Sequence, residues 1–240
     1  MLFSMTNALL FAIVLLAALL QTISGFGFAL LAMPLVALVI GVKEAAPLVA
    51  LVGFTLYAVN LTRYRRGFDW RVLPPLAAAA ALGTPVGVWA LNYLEETLIK
   101  SALGVILIAY ALYSLWRPQT APLRSDLWAW PAGFLAGVLG GAFNTPGPPV
   151  IVYGNLKQWP RDLFRSTLQA LFLFSSSLVI LSHVAAGNLT ATTISTYLLL
   201  LPALLLGVWA GAAIDRRISN ERFRFLVLAL IFATGVLLLV

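Results

Sequence analysis

An apolar run of this chain is interrupted at residues 140–153, which read GGAFNTPGPPVIVY. Three prolines and a glycine follow Asn144 and Thr145 directly. Because proline lacks an N–H and its ring clashes with the preceding turn, one helix must end near Phe143 and another can begin around Pro148. At membrane depth such a break must be buried in protein or line a watery cavity, as in the solute sites of transporters. The alternative is a plain connecting turn between two short spans.

The rest of the chain is strongly apolar. Of its 240 residues 62% are hydrophobic and 10% are charged, and the mean hydropathy is +0.99. Soluble domains carry roughly 25% charged residues, so we predict an all-α polytopic membrane protein. The net charge of +7 lies in short loops between apolar runs, which indicates membrane topology and no nucleic-acid partner. The chain has no cysteine, and its first run lacks a basic leader and a cleavage site, so we expect a retained span.

Two of the apolar runs are too short to cross a bilayer as straight helices, since a span needs about 20 residues. They are residues 28–42, which follow the interruption QTISGFG, and residues 150–159, which follow the break described above. Whether they cross or turn back stays open. The longest polar linker, residues 117–126, divides the chain near its middle. We therefore predict one integral membrane domain, built from a first repeat (1–116) and a second repeat (127–240).

The two halves resemble each other in sequence. The tetrapeptide GVWA at residues 87–90 recurs at residues 207–210, an offset of 120 residues (207 − 87). At the same offset two pairs of glycines correspond, Gly27 with Gly147 and Gly67 with Gly187. The interruptions SGFG and NTPG therefore fall at equivalent places in the two halves. Paired interruptions of this kind indicate the binding site of a transporter.

Loop charges predict that the two repeats are inverted. Residues 63–71 carry four bases, whereas the equivalent loop at 186–190 carries none. Residues 92–96 carry two acids, whereas the equivalent loop at 215–224 carries four bases. Because cytoplasmic loops are enriched in Lys and Arg, equivalent loops prefer opposite sides of the membrane. We predict two inverted repeats of about five segments each, with linker 117–126 in the cytoplasm and both termini outside the cell membrane.

Several short motifs, in this order along the chain, resemble one family of membrane permeases. They are QTISGFG at 21–27, MPL at 33–35, GFDWR at 67–71, GTPVG at 83–87, GPPVIVY at 147–153 and FRST at 164–167. In order and spacing they resemble the sulfite exporter TauE/SafE family across nearly the whole chain. The first half has GFGF where many members carry a longer glycine run. The resemblance implies a secondary transporter that exports sulfite or small organosulfonates, with no cofactor.

A small anion needs hydrogen-bond donors and positive potential, and helix N-termini supply both. We expect the helices that begin after Gly27 and Gly147 to point their N-termini into a common cavity. Glycines let an oxyanion approach the backbone, and neutral side chains add donors without fixing the anion too tightly. The predicted substrate-binding residues are Gln21, Thr22, Ser24, Gly25, Gly27, Asn144, Thr145, Gly147, Arg165 and Gln169.

Two of those residues, Arg165 and Gln169, lie one helical turn apart and so share a face. Arg165 has two possible roles: an electropositive gate, or an arginine whose side chain extends to the cytoplasmic surface. The second interpretation is favoured. Gln169 lies deeper, where polar side chains face the bundle interior. His183, the one histidine in the chain, lies near the end of its run and is expected at the membrane interface.

The acids argue against two other classes of function. All eight lie at or near the ends of apolar runs, which leaves no mid-membrane carboxylate for a proton relay. An intramembrane enzyme needs a nucleophile and a base at one depth, and one histidine without such acids makes that a poor match. A permease for another small organic anion is the closest alternative. The expected partners are a small anionic solute and the lipid bilayer, and the sequence leaves the oligomeric state open.

Overall fold

The computed structural model describes residues 5–116, 122–214 and 220–239, and every regular element within them is helical. The predicted linker lies partly outside these ranges, as does the loop that precedes residue 220. The first half contains α1 (Met5–Ser24), α2 (Phe28–Ile40), α3 (Val42–Tyr64), α4 (Leu73–Tyr93) and α5 (Glu96–Trp116). The second half contains α6 (Ala129–Phe143), α7 (Gly147–Leu156), α8 (Arg161–Ala185), α9 (Ala191–Ile214) and α10 (Asn220–Leu237). Short 3-10 turns at Arg65–Gly67 and Asp126–Trp128 complete the described elements.

The predicted all-α membrane fold is confirmed. Six of the described helices are long and apolar enough to cross a bilayer: α1, α3, α4, α5, α8 and α9. Helices α2 and α7 are short, with 13 and 10 residues, as the apolar runs predicted. The predicted break is also confirmed, because α6 ends at Phe143 and α7 begins at Gly147. The second half of the chain therefore starts with two helices that meet inside the bundle.

The α6–α7 pair turns back towards the end from which it starts. The backbone N–H of Leu123, before α6, donates to the carbonyl of Leu156 at the end of α7, at 2.8 Å. Next to this contact, Lys157 Nζ lies 2.5 Å from a carboxylate oxygen of Asp126, which raises the pKa of Lys157. Because the chain before α6 meets the chain after α7, both ends of the pair lie on one side of the bundle. We call this the linker side.

Contacts between loops assign the other helix ends to sides. On the linker side, a Cβ placed on Gly67, after α3, would meet the backbone of Asp162 at the start of α8 at 2.6 Å. On the opposite side, the amide of Asn188, after α8, donates to Asn92 in the last turn of α4 at 3.1 Å. Helix α3 therefore runs towards the linker side, and α8 runs antiparallel to it.

Helices from the two halves interlock in matched pairs. Helix α4 packs on α6 and α9 packs on α1, while α3 contacts α8 and α5 contacts α10. When the helices of one half are exchanged for the equivalent helices of the other, the α4–α6 and α1–α9 contacts replace each other, and the α3–α8 and α5–α10 contacts are unchanged. The same holds within the halves, where α1 contacts α2 and α6 contacts α7. The contact pattern therefore follows the internal repeat that the sequence indicates.

Glycines bring the paired helices into backbone contact. A Cβ on Gly87 of α4 would lie 2.1 Å from the carbonyl oxygen of Val138 on α6. In the other pair, a Cβ on Gly207 of α9 would lie 2.5 Å from the carbonyl oxygen of Leu15 on α1. Small residues drive helix association in lipid because they let backbones approach closely. The repeated GVWA motif thus places one interface glycine in each half.

Candidate functional site

The first break, between α1 and α2, depends on two glycines. Gly25 has φ +87° and Gly27 has φ +106°, a left-handed region that side chains other than glycine rarely adopt. A Cβ on Gly25 would also meet the aliphatic part of Arg165 at 2.8 Å. The sequence GFGF therefore suits a sharp reversal of the chain in a crowded place. Gly27 is the residue from which α2 starts.

Two buried glutamines bond the first break internally. Gln21 Oε1 accepts a hydrogen bond from the backbone N–H of Phe28 at 2.9 Å, and so caps the N-terminus of α2. Gln21 Nε2 is 3.3 Å from Gln169 Oε1 on α8, and Gln169 Nε2 donates to the carbonyl of Gly25 at 2.6 Å. Both glutamine side chains are 0% exposed. Gln169 therefore faces the bundle interior, as predicted, and links α8 to the break.

Arg165 covers the linker side of the same break. Its Nη2 donates to the carbonyl of Ile23 at 2.6 Å, and its guanidinium lies 5.3 Å from the centre of the Tyr64 ring. The hydroxyl of Tyr64 in turn donates to the carbonyl of Thr22 at 3.0 Å. Arg165 is only 7% exposed. The favoured surface interpretation is therefore wrong, because the ring of Tyr64 and the end of α1 enclose this side chain.

The hydroxyls predicted in the first break bond locally. Thr22 Oγ1 donates to the carbonyl of Ala18 at 2.8 Å, one turn back in α1. Ser24 Oγ donates to the carbonyl of Leu20 at 2.8 Å and is also bonded to the backbone of Phe26. These bonds close the end of α1. Neither hydroxyl reaches the pocket described below.

The second break is bonded to α3 instead of α8. Asn144 has φ +56°, a left-handed conformation that asparagine tolerates better than most residues and that ends α6. Its Nδ2 donates to the carbonyl of Ala46, near the start of α3, at 2.7 Å. Asn144 is 5% exposed, and its Oδ1 has no hydrogen-bond partner in the described part of the chain. The neighbouring Thr145 is 1% exposed, and its Oγ1 also lacks a partner there.

A pocket lies between the two breaks, with about 230 Å³ of empty space that includes an opening to solvent. Gln21 and Gly27 line it from the first break, and Asn144, Thr145 and Gly147 line it from the second. The structure thus brings together five of the ten predicted site residues. The other five lie outside the pocket lining, around the first break: Thr22, Ser24, Gly25, Arg165 and Gln169.

Aromatic side chains form the apolar part of the pocket. Tyr57 of α3 and Phe172 of α8 both line it, and their ring centres are 5.2 Å apart. Sequence reasoning missed both residues. Neither side chain has a polar group that marks it as part of a site for an anion by sequence alone, and only the packing of α3 against α8 brings the two rings to the breaks. Among the described residues, no charged side chain lines the pocket, and no group of three or more acids or histidines could hold a metal ion.

On the opposite side of the bundle, His183 is fully buried in the last turn of α8. Its Nδ1 lies 3.1 Å from the amide nitrogen of Asn188, which also donates to Asn92 Oδ1. His183 lies at the end of its helix, where the loop after α8 covers the ring, and its place at the membrane interface stays a prediction. His183 joins α8 to α4 there and takes no part in the pocket.

Six helices are long and apolar enough to span a membrane, and two short helices border one pocket at the two breaks. These features define a class, the polytopic helical membrane transporters. The chain belongs to the sulfite exporter TauE/SafE family, whose sequence profile matches residues 10–238. Members of this family are membrane transporters and not enzymes. The multi-pass membrane character predicted from composition agrees with that membership.

A curated relative extends the comparison to a single protein. The "Probable sulfite/organosulfonate exporter TauE" of Cupriavidus necator is 25% identical to this chain over 221 residues, which cover 90% of this chain and 86% of the relative. No solved structure gives a significant match. The similarity covers both halves of the chain and both breaks.

Proposed function

We propose that the protein is a secondary transporter that exports sulfite or a small organosulfonate, with the anion held between the two helix breaks. The pocket lined by both breaks carries the proposal, because the first turns of α2 and α7 border it on either side. Helix N-termini attract anions through their free N–H groups and their dipole. Tyr57 and Phe172 supply an apolar wall for the carbon chain of an organosulfonate. Because an apolar wall would also suit other small organic anions, a permease for such an anion is the second candidate.

We further propose that transport occurs by alternating access between two inverted repeats. The matched helix contacts between the halves support this arrangement, as does the turn of α6–α7 back to the linker side. Equivalent helices α3 and α8 run antiparallel at the centre. In such a bundle, rocking of one half against the other exposes a fixed central site to each side in turn. The bonds of Arg165 and Tyr64 to the end of α1 would open when the linker side opens.

The orientation follows from the charges. The linker side holds the basic loop 63–71, the described end of the linker and the loop after α7. Within the described residues, the opposite side holds two bases, Lys43 and Lys100. We propose that the linker side faces the cytoplasm of a cell membrane and that both termini lie outside.

A cysteine introduced at Asp69 tests this orientation. Asp69 is exposed in the loop after α3, and the chain has no cysteine of its own, so a single substitution gives a single reactive thiol. We expect an impermeant maleimide added to intact cells to leave Asp69→Cys unlabelled and to label it after permeabilisation. A cysteine at Asn188, on the opposite side, is the matched control and is expected to react in intact cells. Labelling in the reverse order would contradict the orientation.

The position of the acids indicates the driving force. Glu44, Glu96 and Asp162 lie in the first turns of their helices, and no described helix carries an acid at its middle. A proton relay through the bundle therefore has no carboxylate to use. We propose that the anion leaves down its own gradient, assisted by the inside-negative potential, which contributes ~2.3 kcal/mol per charge per 100 mV. Flux that stopped when a proton gradient was removed at fixed voltage would contradict this.

Sulfite flux in proteoliposomes, with an imposed diffusion potential, tests the proposed function directly. We compare the wild type with Asn144→Gly, because glycine keeps the left-handed backbone of Asn144 and removes its amide. We expect voltage-sensitive flux in the wild type and a fall of about tenfold or more in the variant, since one polar wall of the pocket and the bond to Ala46 are lost. Asn188→Ala, which removes an amide far from the pocket, is the control.

Each outcome separates the parts of the proposal. Flux of another anion but not of sulfite would keep the transport mechanism and replace the substrate. Equal flux in the wild type and in Asn144→Gly would contradict a role of the second break in the anion site. Absence of flux across a panel of anions would contradict the transport function.

A further inference from the structure

The lining of the pocket indicates the charge of the anion that it accepts. Within the described residues no charged side chain borders the pocket, so the compensating positive charge comes from the N-termini of α2 and α7. Each helix N-terminus is equivalent to roughly +0.5 elementary charge. Two of them match about one negative charge. Arg165 lies outside the lining, where its guanidinium is bonded to the carbonyl of Ile23, so no described side chain in the lining balances the second charge of a dianion. The electrostatics therefore favour a monoanion.

The donors of the pocket lie mainly at the first turn of α2. The first N–H groups of a helix have no acceptor within the helix. Gln21 Oε1 accepts a hydrogen bond from the N–H of Phe28. The next two residues of the helix, Ala29 and Leu30, both line the pocket. In α7 the equivalent turn begins with Gly147, and the prolines at 148 and 149 carry no N–H. The oxyanion group of a solute therefore finds most of its donors on the α2 side.

On the α7 side, the lining residue Asn144 carries a buried acceptor that has no partner among the described residues. Asn144 Nδ2 is bound to the carbonyl of Ala46, which fixes the orientation of the amide and leaves Oδ1 as the group without a partner. A carbonyl oxygen can only accept a hydrogen bond. The oxygens of a fully deprotonated oxyanion can also only accept, so they cannot satisfy it. A solute hydroxyl can, and Thr145 Oγ1 stands beside it as a second polar group without a partner.

We propose that the pocket is built for an oxyanion that carries a single negative charge and one hydroxyl group. The anionic oxygens face the first turn of α2, and the hydroxyl donates to Asn144 Oδ1. Hydrogen sulfite and short hydroxyalkanesulfonates meet this description, whereas sulfite dianion and sulfate do not. The inference rests on the transport function proposed above and specifies which anions that function selects.

Three ligands on the same ethane scaffold test the inference. Isethionate has one sulfonate and one hydroxyl, ethanesulfonate lacks the hydroxyl, and ethane-1,2-disulfonate replaces it with a second charge. All three keep their charge over the working pH range, so the solute's own ionisation does not enter. Each is added as a competitor of sulfite flux in wild-type proteoliposomes. Each is also titrated against the melting temperature of the purified protein, which rises with ligand binding and requires no turnover.

We expect isethionate to compete about tenfold better than ethanesulfonate, because the latter leaves the buried Oδ1 of Asn144 without a partner. The disulfonate is expected to compete least. In Asn144→Gly, the two monoanions should bind within about twofold of each other, because the acceptor that distinguishes them is gone.

Four results would overturn the inference. They are equal competition by isethionate and ethanesulfonate in the wild type, stronger competition by the disulfonate, an unchanged preference in Asn144→Gly, and loss of all binding in that variant. Any of these can occur in a protein that still transports sulfite, so the proposed function would stand. A wild type that carries no anion would contradict the proposed function, and the inference would fail with it.

Discussion

Gly87→Ala is expected to abolish the stable fold or to lower the melting temperature of the purified protein by several degrees. The added methyl group would lie 2.1 Å from the carbonyl oxygen of Val138 and 2.7 Å from the backbone nitrogen of Ala142. These are backbone atoms of α6, so the two helices must move apart along their whole contact. Inserting a methylene into a well-packed interface costs roughly 1–3 kcal/mol, and more when backbone must shift.

The neighbouring residue supplies a matched control for this prediction. Val86 is exposed on the lipid-facing side of the same helix, and Val86→Ile adds the same methyl group there. We expect Val86→Ile to have the melting temperature of the wild type, measured by size-exclusion chromatography after heating. Gly207→Ala, at the equivalent contact of α9 with α1, is expected to behave like Gly87→Ala. Wild-type melting of Gly87→Ala would show that the close contact between α4 and α6 does not hold the bundle together.

Gln21→Leu is expected to reduce anion flux more than tenfold and also to destabilise the protein. The change leaves the backbone N–H of Phe28 and the Oε1 of Gln169 buried without partners, and each such loss costs roughly 1–3 kcal/mol. It also removes a polar residue from the pocket lining. Flux in proteoliposomes and the melting temperature in detergent measure the two effects separately.

The control for Gln21→Leu is Thr84→Val, which removes a buried hydroxyl that bonds only to the carbonyl of Ala80 in its own helix, at 2.8 Å. We expect that control to keep both flux and stability near those of the wild type. Gln21→Glu keeps the size and shape of the side chain but buries a charge beside the pocket and faces Gln169 Oε1 with a second acceptor, so it is expected to lose both flux and stability. Full flux in Gln21→Leu would exclude Gln21 from the site.

The sequence predicted the parts of this site that depend on local chain chemistry. Prolines and glycines dictate where helices stop, so the breaks after Phe143 and around Gly25 could be located from the sequence alone. The offset between the repeats then placed the two breaks in correspondence. The predicted meeting of Gly27 and Gly147 at one pocket agrees with the structure.

What the sequence could not give are the contacts made between distant helices. Tyr57 and Phe172 read as ordinary apolar positions, and only the crossing of α3 and α8 brings their rings to the pocket. The enclosure of Arg165 depends on Tyr64, about a hundred residues earlier in the chain. Distance from the end of an apolar run predicts depth in the membrane, but it does not say which neighbour covers a side chain.

The interlocked pairing of the halves has a consequence for biosynthesis. Helix α1 is complete before residue 25, yet its packing partner α9 starts only at Ala191. At ~5–20 residues per second, ribosomal synthesis of the intervening chain takes roughly ten to thirty seconds. During that time the surface of α1 around Leu15 must stay in contact with lipid or with the insertion machinery. The bundle therefore cannot assemble helix by helix as it emerges, and a ribosome that stalls before α9 leaves a first half without its closest partner.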